Sequence, residues 1–182
     1  EELVERAVNI YDGMTCYQDN LNIQLKQHVD KINKYGQQII ELNEQIRKIE
    51  VGGIEHANDL RDTRNEILDE LADLVDIKVT ENVYGDVDVQ IEGVDFVKGE
   101  RCFQIMLQVD ETTGFYTPFW PQNATYKVLD DGSREYNIDG AEVFDLKREI
   151  SSDKNTDIGG LKAILLARGD HHADYTDIAK DY

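Results

Sequence analysis

The sequence predicts an α+β fold: a long antiparallel helical hairpin, a coiled-coil-like rod, with a small all-β domain inserted after it and a short helix near the end of the chain. Three observations carry that prediction. Apolar residues recur at alternating three- and four-residue spacing through the first fifty positions, a glycine break is followed by a second seam of the same period, and after Asp76 the period drops to two.

The first helix is read from Leu3, Ala7, Ile10, Met14, Tyr17, Leu21 and Leu25, continued by His28, Ile32, Tyr35, Ile39, Leu42, Ile46 and Ile49. This spacing puts one stripe on one helix face, with an extra four-residue step between Tyr17 and Leu25 that shifts the coiled-coil phase. Gly13 and Gly36 each cost about 1 kcal/mol relative to alanine, so a bend or a late start is expected near Gly13. No proline interrupts the run. At 1.5 Å per residue the helix is roughly 70 Å long.

Val51-Gly52-Gly53-Ile54 ends that helix, and Asn58 is the expected N-cap of the next, with Asp59 and Asp62 on its positive end. Leu60, Arg64, Ile67, Leu71 and Leu74 repeat the seam, widened by Leu68 and Val75. A short connection between amphipathic helices makes them antiparallel neighbours, so residues 59–75 should pack back along 32–49 and leave residues 3–28 unpartnered.

Beyond Asp76, Ile77, Val79, Val87, Val89 and Ile91 alternate as strand residues, with Tyr84-Gly85 as a turn. Strands are also expected at 102–109, 125–129 and 135–138, five to seven in all, and Asp131-Gly132 reads as a type I′ hairpin turn. Gly159-Gly160 then opens a two-turn helix over 161–168, stopped by Gly169 and followed by a weakly patterned tail. The expected division is a rod over 1–77, a β domain over 78–155, and a return to the rod over 156–182.

With 182 residues, 40% hydrophobic and 31% charged, the chain can bury a real core and is expected to be soluble. The net charge of −19 is spread over both halves. A nucleic acid or an anionic membrane surface demands a cationic footprint that this chain lacks, so neither is an expected partner. The longest apolar run, Ala163 to Ala167, is far short of the roughly 20 residues of a membrane span. Because the chain opens on Glu1-Glu2 without a methionine, both ends are expected to be boundaries within a longer protein. Cys16 and Cys102 fall in different modules and read as two free structural thiols.

Chemistry is weakly signalled. Asp170-His171-His172-Ala173-Asp174 holds metal-type ligands, but neighbours in sequence rarely converge on one ion, and the segment reads as solvated tail. His28 lies on the helical stripe. Asp69, Glu70 and Asp73, or Asp86 and Asp88, are carboxylate pairs of the kind 38 acids produce by chance, without a nucleophile or phosphate loop beside them. Thr117-Pro118-Phe119-Trp120-Pro121 reads as a rigid corner capping the β core rather than an exposed recognition loop. No catalytic residue, cofactor or metal is assigned.

The stretch Val29-Asp30-Lys31-Ile32-Asn33, Gln37-Gln38-Ile39 and Leu42-Asn43-Glu44-Gln45-Ile46, then Ala57-Asn58-Asp59-Leu60-Arg61-Asp62, Arg64 and Leu68-Asp69-Glu70-Leu71, resembles the bacterial flagellar hook-associated protein 1 family. There a similar helix, a Gly-rich turn and a second helix lead into β strands in the same order. Ile158-Gly159-Gly160-Leu161-Lys162-Ala163-Ile164-Leu165 is similar to the segment by which that family returns to its rod. Set against that family's full length, the stretch is expected to correspond to the part between its two terminal segments, which in the family drive assembly.

The resemblance implies a structural, non-enzymatic component of the hook-filament junction that takes part in flagellum assembly. It further implies export through the flagellar secretion apparatus and an extracellular position. The implied partners are copies of itself, the hook protein and the next junction protein, with the isolated chain a monomer. From the residues alone, a soluble coiled-coil adaptor or chaperone that binds a client helix stays open. The packing seam is expected at Ile32, Ile39, Leu42, Ile46 and Ile49 against Leu60, Ile67, Leu71 and Leu74. The candidate subunit-contact stripe is Leu3, Ala7, Ile10, Met14, Tyr17 and Leu21.

Overall fold

A computed structural model describes residues 2–51, 57–146 and 158–169 of the chain. Helix α1 runs unbroken over Glu2–Glu50. It passes without a break through Gly13, where an added Cβ would meet nothing within 4 Å, and through Gly36 for a different reason. A Cβ on Gly36 would lie 2.5 Å from Cys102 Sγ and 2.6 Å from Phe96 Cζ. The β region is seated against the helix at that point, and only glycine leaves room for it.

Helix α2 (Asn58–Leu74) returns antiparallel. Arg61 pairs with Glu50 at 2.7 Å, Arg64 reaches Asn43 at 2.8 Å, and Glu70 meets Lys31 at 3.3 Å and hydrogen-bonds Tyr35. Asn58 is the first helical residue rather than the cap. Ala57 precedes it without a side-chain cap bond, and the Ala57 amide donates to Glu50 Oε1 at 3.0 Å instead. The end of α1 thus supplies the acceptor that a capping side chain otherwise provides.

Eight short strands follow: β1 (Ile77–Glu81), β2 (Val87–Ile91), β3 (Val94–Lys98), β4 (Arg101–Cys102), β5 (Met106–Val109), β6 (Tyr116–Phe119), β7 (Thr125–Val128) and β8 (Arg134–Asn137). They form an antiparallel four-stranded meander, β1-β2-β3-β4, and two hairpins, β5-β6 and β7-β8. The expected run 102–109 is split between β4 and β5, and β3 and β6 were not anticipated. Strand β3 is set up by Glu92-Gly93, both at positive φ (49° and 80°), a turn whose first residue gives no usual hairpin signal. Asp131-Gly132 does join β7 to β8, but only Gly132 has positive φ, so the turn is not the expected type I′.

Phe119 and Trp120 are buried, and the corner is tied down by Trp120 N–H donating to Ala141 O at 2.8 Å and Val143 N–H to Pro118 O at 3.0 Å. Helix α3 (Gly160–Arg168) follows residues outside the description and abuts the end of α2. The core is continuous. Leu25, Val29, Ile32 and Ile39 of α1 meet Leu71 and Val75, Leu161 and Leu165 of α3, and Val89, Ile91, Phe96 and Trp120 of the β region. Apolar burial at about 25 cal/mol per Å² thus binds helices and strands into one body.

Candidate assembly interface

Of the expected seam, Ile32, Ile39, Ile46 and Leu71 are fully buried, Leu42 is nearly so, and Leu60, Ile67 and Leu74 are half-buried. Ile49 does not join them, being 43% exposed. In this last turn Glu50, not Ile49, faces α2, accepting from the Ala57 amide and from Arg61.

The expected contact stripe is divided by α3. Ile10, Met14 and Tyr17 are 54%, 42% and 57% exposed, Ala7 is half-buried, and the side chain of Leu3 lies outside the described residues. Leu21, at 6% exposure, is not part of the open face. Gln18 Nε2 donates to Arg168 O at 2.7 Å and Arg168 Nη1 to Asn22 Oδ1 at 2.7 Å, so the end of α3 straddles this turn of α1. Residues 3–28 are therefore not all unpartnered: Leu25, with Val29 just beyond the range, shares a core with Leu161 and Leu165. Where α3 stops, a groove of about 410 Å³ opens between Ala167 and the face formed by Ile10, Gly13, Met14 and Tyr17. Among the described residues, the same helix face is thus covered from position 18 onward and largely exposed before it.

Polar residues overlooked in the sequence hold the β region on α1. Asn43 Nδ2 donates to Val87 O at 3.0 Å while its Oδ1 accepts from Val87 N–H at 3.2 Å. Asn33 pairs in the same way with both backbone groups of Ile105, at 2.8 and 2.9 Å. Asn22 binds Gly114 O at 3.0 Å and Tyr116 N–H at 2.8 Å. Two arginines complete the outer pairs. Arg64 Nη1 donates to Asn43 Oδ1 and to Gly85 O at 2.7 Å, and Arg168 Nη1 to Asn22 Oδ1 and to Tyr116 O at 2.7 Å. Arg64 is 2% exposed, and burial lowers its pKa from the ordinary arginine value while leaving it a cation. The signal was present in outline, since Leu21-Asn22, Ile32-Asn33 and Leu42-Asn43 each set an asparagine directly after a stripe residue.

Of the candidate carboxylates, Glu70, Asp86 and Asp88 serve as struts. Glu70 is tied to Tyr35 and Lys31, and the Tyr35 hydrogen bond is the leading cause of its lowered pKa. Asp86 accepts from Arg47 at 3.2 Å, and Asp88 from the Gly99 amide at 2.8 Å. His28 is half-buried, and burial first, then Lys31, lowers its pKa. Burial pushes the Cys102 thiol up to about 11, which suits a packing role beside Gly36. Residues 170–174, with His171 and His172, lie outside the described residues. Among the described residues no group of three or more His, Cys, Asp or Glu is placed to hold a metal ion, and no helix is long and apolar enough to cross a membrane.

Among the described residues, a long helix with an exposed apolar face at one end carries a β layer hydrogen-bonded to its side. The family described as flagellar hook-associated protein FlgK helical domain matches residues 1–160, and the chain belongs to that family. Among solved structures, the flagellar hook junction protein FlgK from Burkholderia pseudomallei is similar in fold, at 23% identity and a TM-score of 0.59, over 77% of this chain. The aligned region is 24% of that protein, so this chain spans about a quarter of its length. A search of curated proteins finds no match.

Proposed function

We propose that the chain is the rod and outer layer of a hook-filament junction protein, exported to the cell exterior and acting in flagellum assembly by structure rather than by catalysis. The family match over residues 1–160 carries this reading. The proposed partners are copies of itself, the hook protein and the next junction protein, and the proposed contact face is Ala7, Ile10, Met14 and Tyr17, continued by Leu3. That face supports the reading because large apolar side chains left in water at helical spacing mark a surface meant to be covered. Immunogold labelling of intact cells should place the protein in a single band where hook meets filament. Label confined to the cytoplasm would overturn the proposal and favour the adaptor or chaperone.

By itself the chain should be a monomer. A lateral contact must offset the rigid-body entropy of association, and chains of net charge −19 repel one another. The repulsion reaches about 30 Å at 0.01 M salt and about 8 Å at 0.15 M, so any self-association should strengthen with salt and weaken in Ile10→Asp or Tyr17→Asp. Sedimentation velocity at the two salt concentrations measures it. A tight micromolar dimer at low salt would contradict the expectation.

A further inference from the structure

We infer that Asn22, Asn33 and Asn43 act as a ruler along α1, three positioning residues that fix where the β layer sits on the rod. Apolar packing pins that position at one point, Gly36, where only glycine admits Phe96 and Cys102, and specifies it poorly along the rest of the contact. The hydrophobic effect is non-directional, and a stripe of three- and four-residue spacing presents a similar apolar surface to the β layer every few turns. A carboxamide is different. It sets an N–H donor and a C=O acceptor side by side in one plane, the same pair that a residue in a strand offers its neighbour, and a backbone matches both at once only where its N–H and C=O face the amide together.

All three amides are satisfied in this way, at one residue in two cases and across a turn in the third. Their spacing of eleven and then ten residues keeps them near one face of α1 and spreads them over roughly 30 Å of rod at 1.5 Å per residue. The spacing is also unequal, which makes it selective. Sliding the β layer by eleven residues toward the N-terminus brings the partner of Asn33 onto Asn22 but sets the partner of Asn43 against Ile32. Sliding it by ten the other way brings the partner of Asn33 onto Asn43 and sets that of Asn22 against Ile32. No single shift restores more than one pair. The remaining partners would be buried with unmatched backbone groups, which is why a polar residue in an apolar seam can select one register.

The ends of the ruler are further fixed by the buried arginines of α2 and α3, so Asn33 is the member whose removal tests positioning with least disturbance elsewhere. Amide hydrogen exchange in the intact chain, followed residue by residue by NMR, is the experiment. Asn33→Leu should raise exchange by about tenfold or more at Ile105, the local partner, and also at Val87 and Tyr116, which it does not touch. Exchange at Ile39 and Leu71, in the seam between α1 and α2, should stay at the wild-type rate.

A rise at Ile105 alone would reduce Asn33 to one local hydrogen bond and overturn the proposal. An equal rise at the seam and at all three sites would show only lost global stability and overturn it as well. Should Asn33→Leu fail to fold, Asn33→Gln is measured in the same way. It keeps the amide and displaces it by one methylene, so the ruler predicts the same coupled rise, and wild-type exchange in this variant would refute it.

Discussion

Leu71→Asp should abolish the cooperative melt of the hairpin. Leu71 is fully buried in the core it shares with Ile32 and Ile39 of α1. Truncating such a leucine costs about 2–5 kcal/mol in lost burial and cavity, and an unpaired carboxylate in its place adds several more through desolvation. The sum is comparable to the whole stability of an ordinary domain, about 5–15 kcal/mol. Leu42→Asp should act in the same direction. Glu44→Ala is the control. Its ion pair with Lys48, at 2.6 Å, joins two well-exposed side chains that water screens, so the variant should melt like wild type. Circular dichroism melts at pH 7 make the comparison, and seam variants that melt like wild type would refute the pairing of α1 with α2.

The deficit of Leu71→Asp should also depend on pH. A buried aspartic acid has a folded pKa above its unfolded value of about 3.9, so the penalty is present above that value and shrinks as pH falls below it, where both states are neutral. The wild-type reference moves as well. Glu70 and Asp110 have lowered pKa values, from the Tyr35 hydrogen bond and the Thr113 backbone amide respectively, and the stability they contribute is present above the ordinary carboxylate range and lost as pH falls through their folded values. The quantity to follow is therefore the difference between variant and wild type at each pH.

What the sequence made legible was periodic and local. Forty-nine residues of α1 carry their own stripe, and β2 announces itself through Val87, Val89 and Ile91, all of which face the core. What stayed hidden depends on residues far along the chain. Gly36 looked like a weakness in the helix, because Phe96 and Cys102, its reason for being glycine, lie some sixty residues later. The asparagines looked like ordinary polar positions, because their partners are backbone groups, which a sequence does not display. Strand β6 was masked by Pro118, which is tolerated because it sits in a two-stranded hairpin where its missing N–H breaks no central ladder. Ile49 and Leu21 lie at the margins of the stripe, where the end of the helix pairing and the end of α3 decide exposure rather than residue type.

Gly159 and Gly160 are adjacent in sequence, and substituting alanine should have opposite consequences at the two positions. Gly159 has φ +101° and ψ 134°, a conformation that a side chain strongly disfavours, and a Cβ there would lie 2.7 Å from Leu74 O and 2.9 Å from Val75 Cα. Both obstacles are backbone at the end of α2, which cannot rotate aside. Strain of about 1–3 kcal/mol from the dihedral adds to a similar cost of overlap. Gly160 is the first residue of α3, its nearest contact to an added Cβ is Asp73 O at 3.4 Å, and alanine there is neutral or stabilises by up to about 1 kcal/mol. A loss of about 3 kcal/mol in Gly159→Ala should lower Tm by roughly 6–12 °C. The damage should begin locally, because this close approach is what lays α3 along α1, and a displaced α3 would withdraw Leu161 and Leu165 from Leu25 and Val29. Amide exchange should therefore rise first in α3 and at Tyr116, whose carbonyl Arg168 holds, before the α1–α2 seam responds. Equal melts for the two variants, or a seam that loosens together with α3, would show that the return of the chain onto the rod does not depend on this glycine.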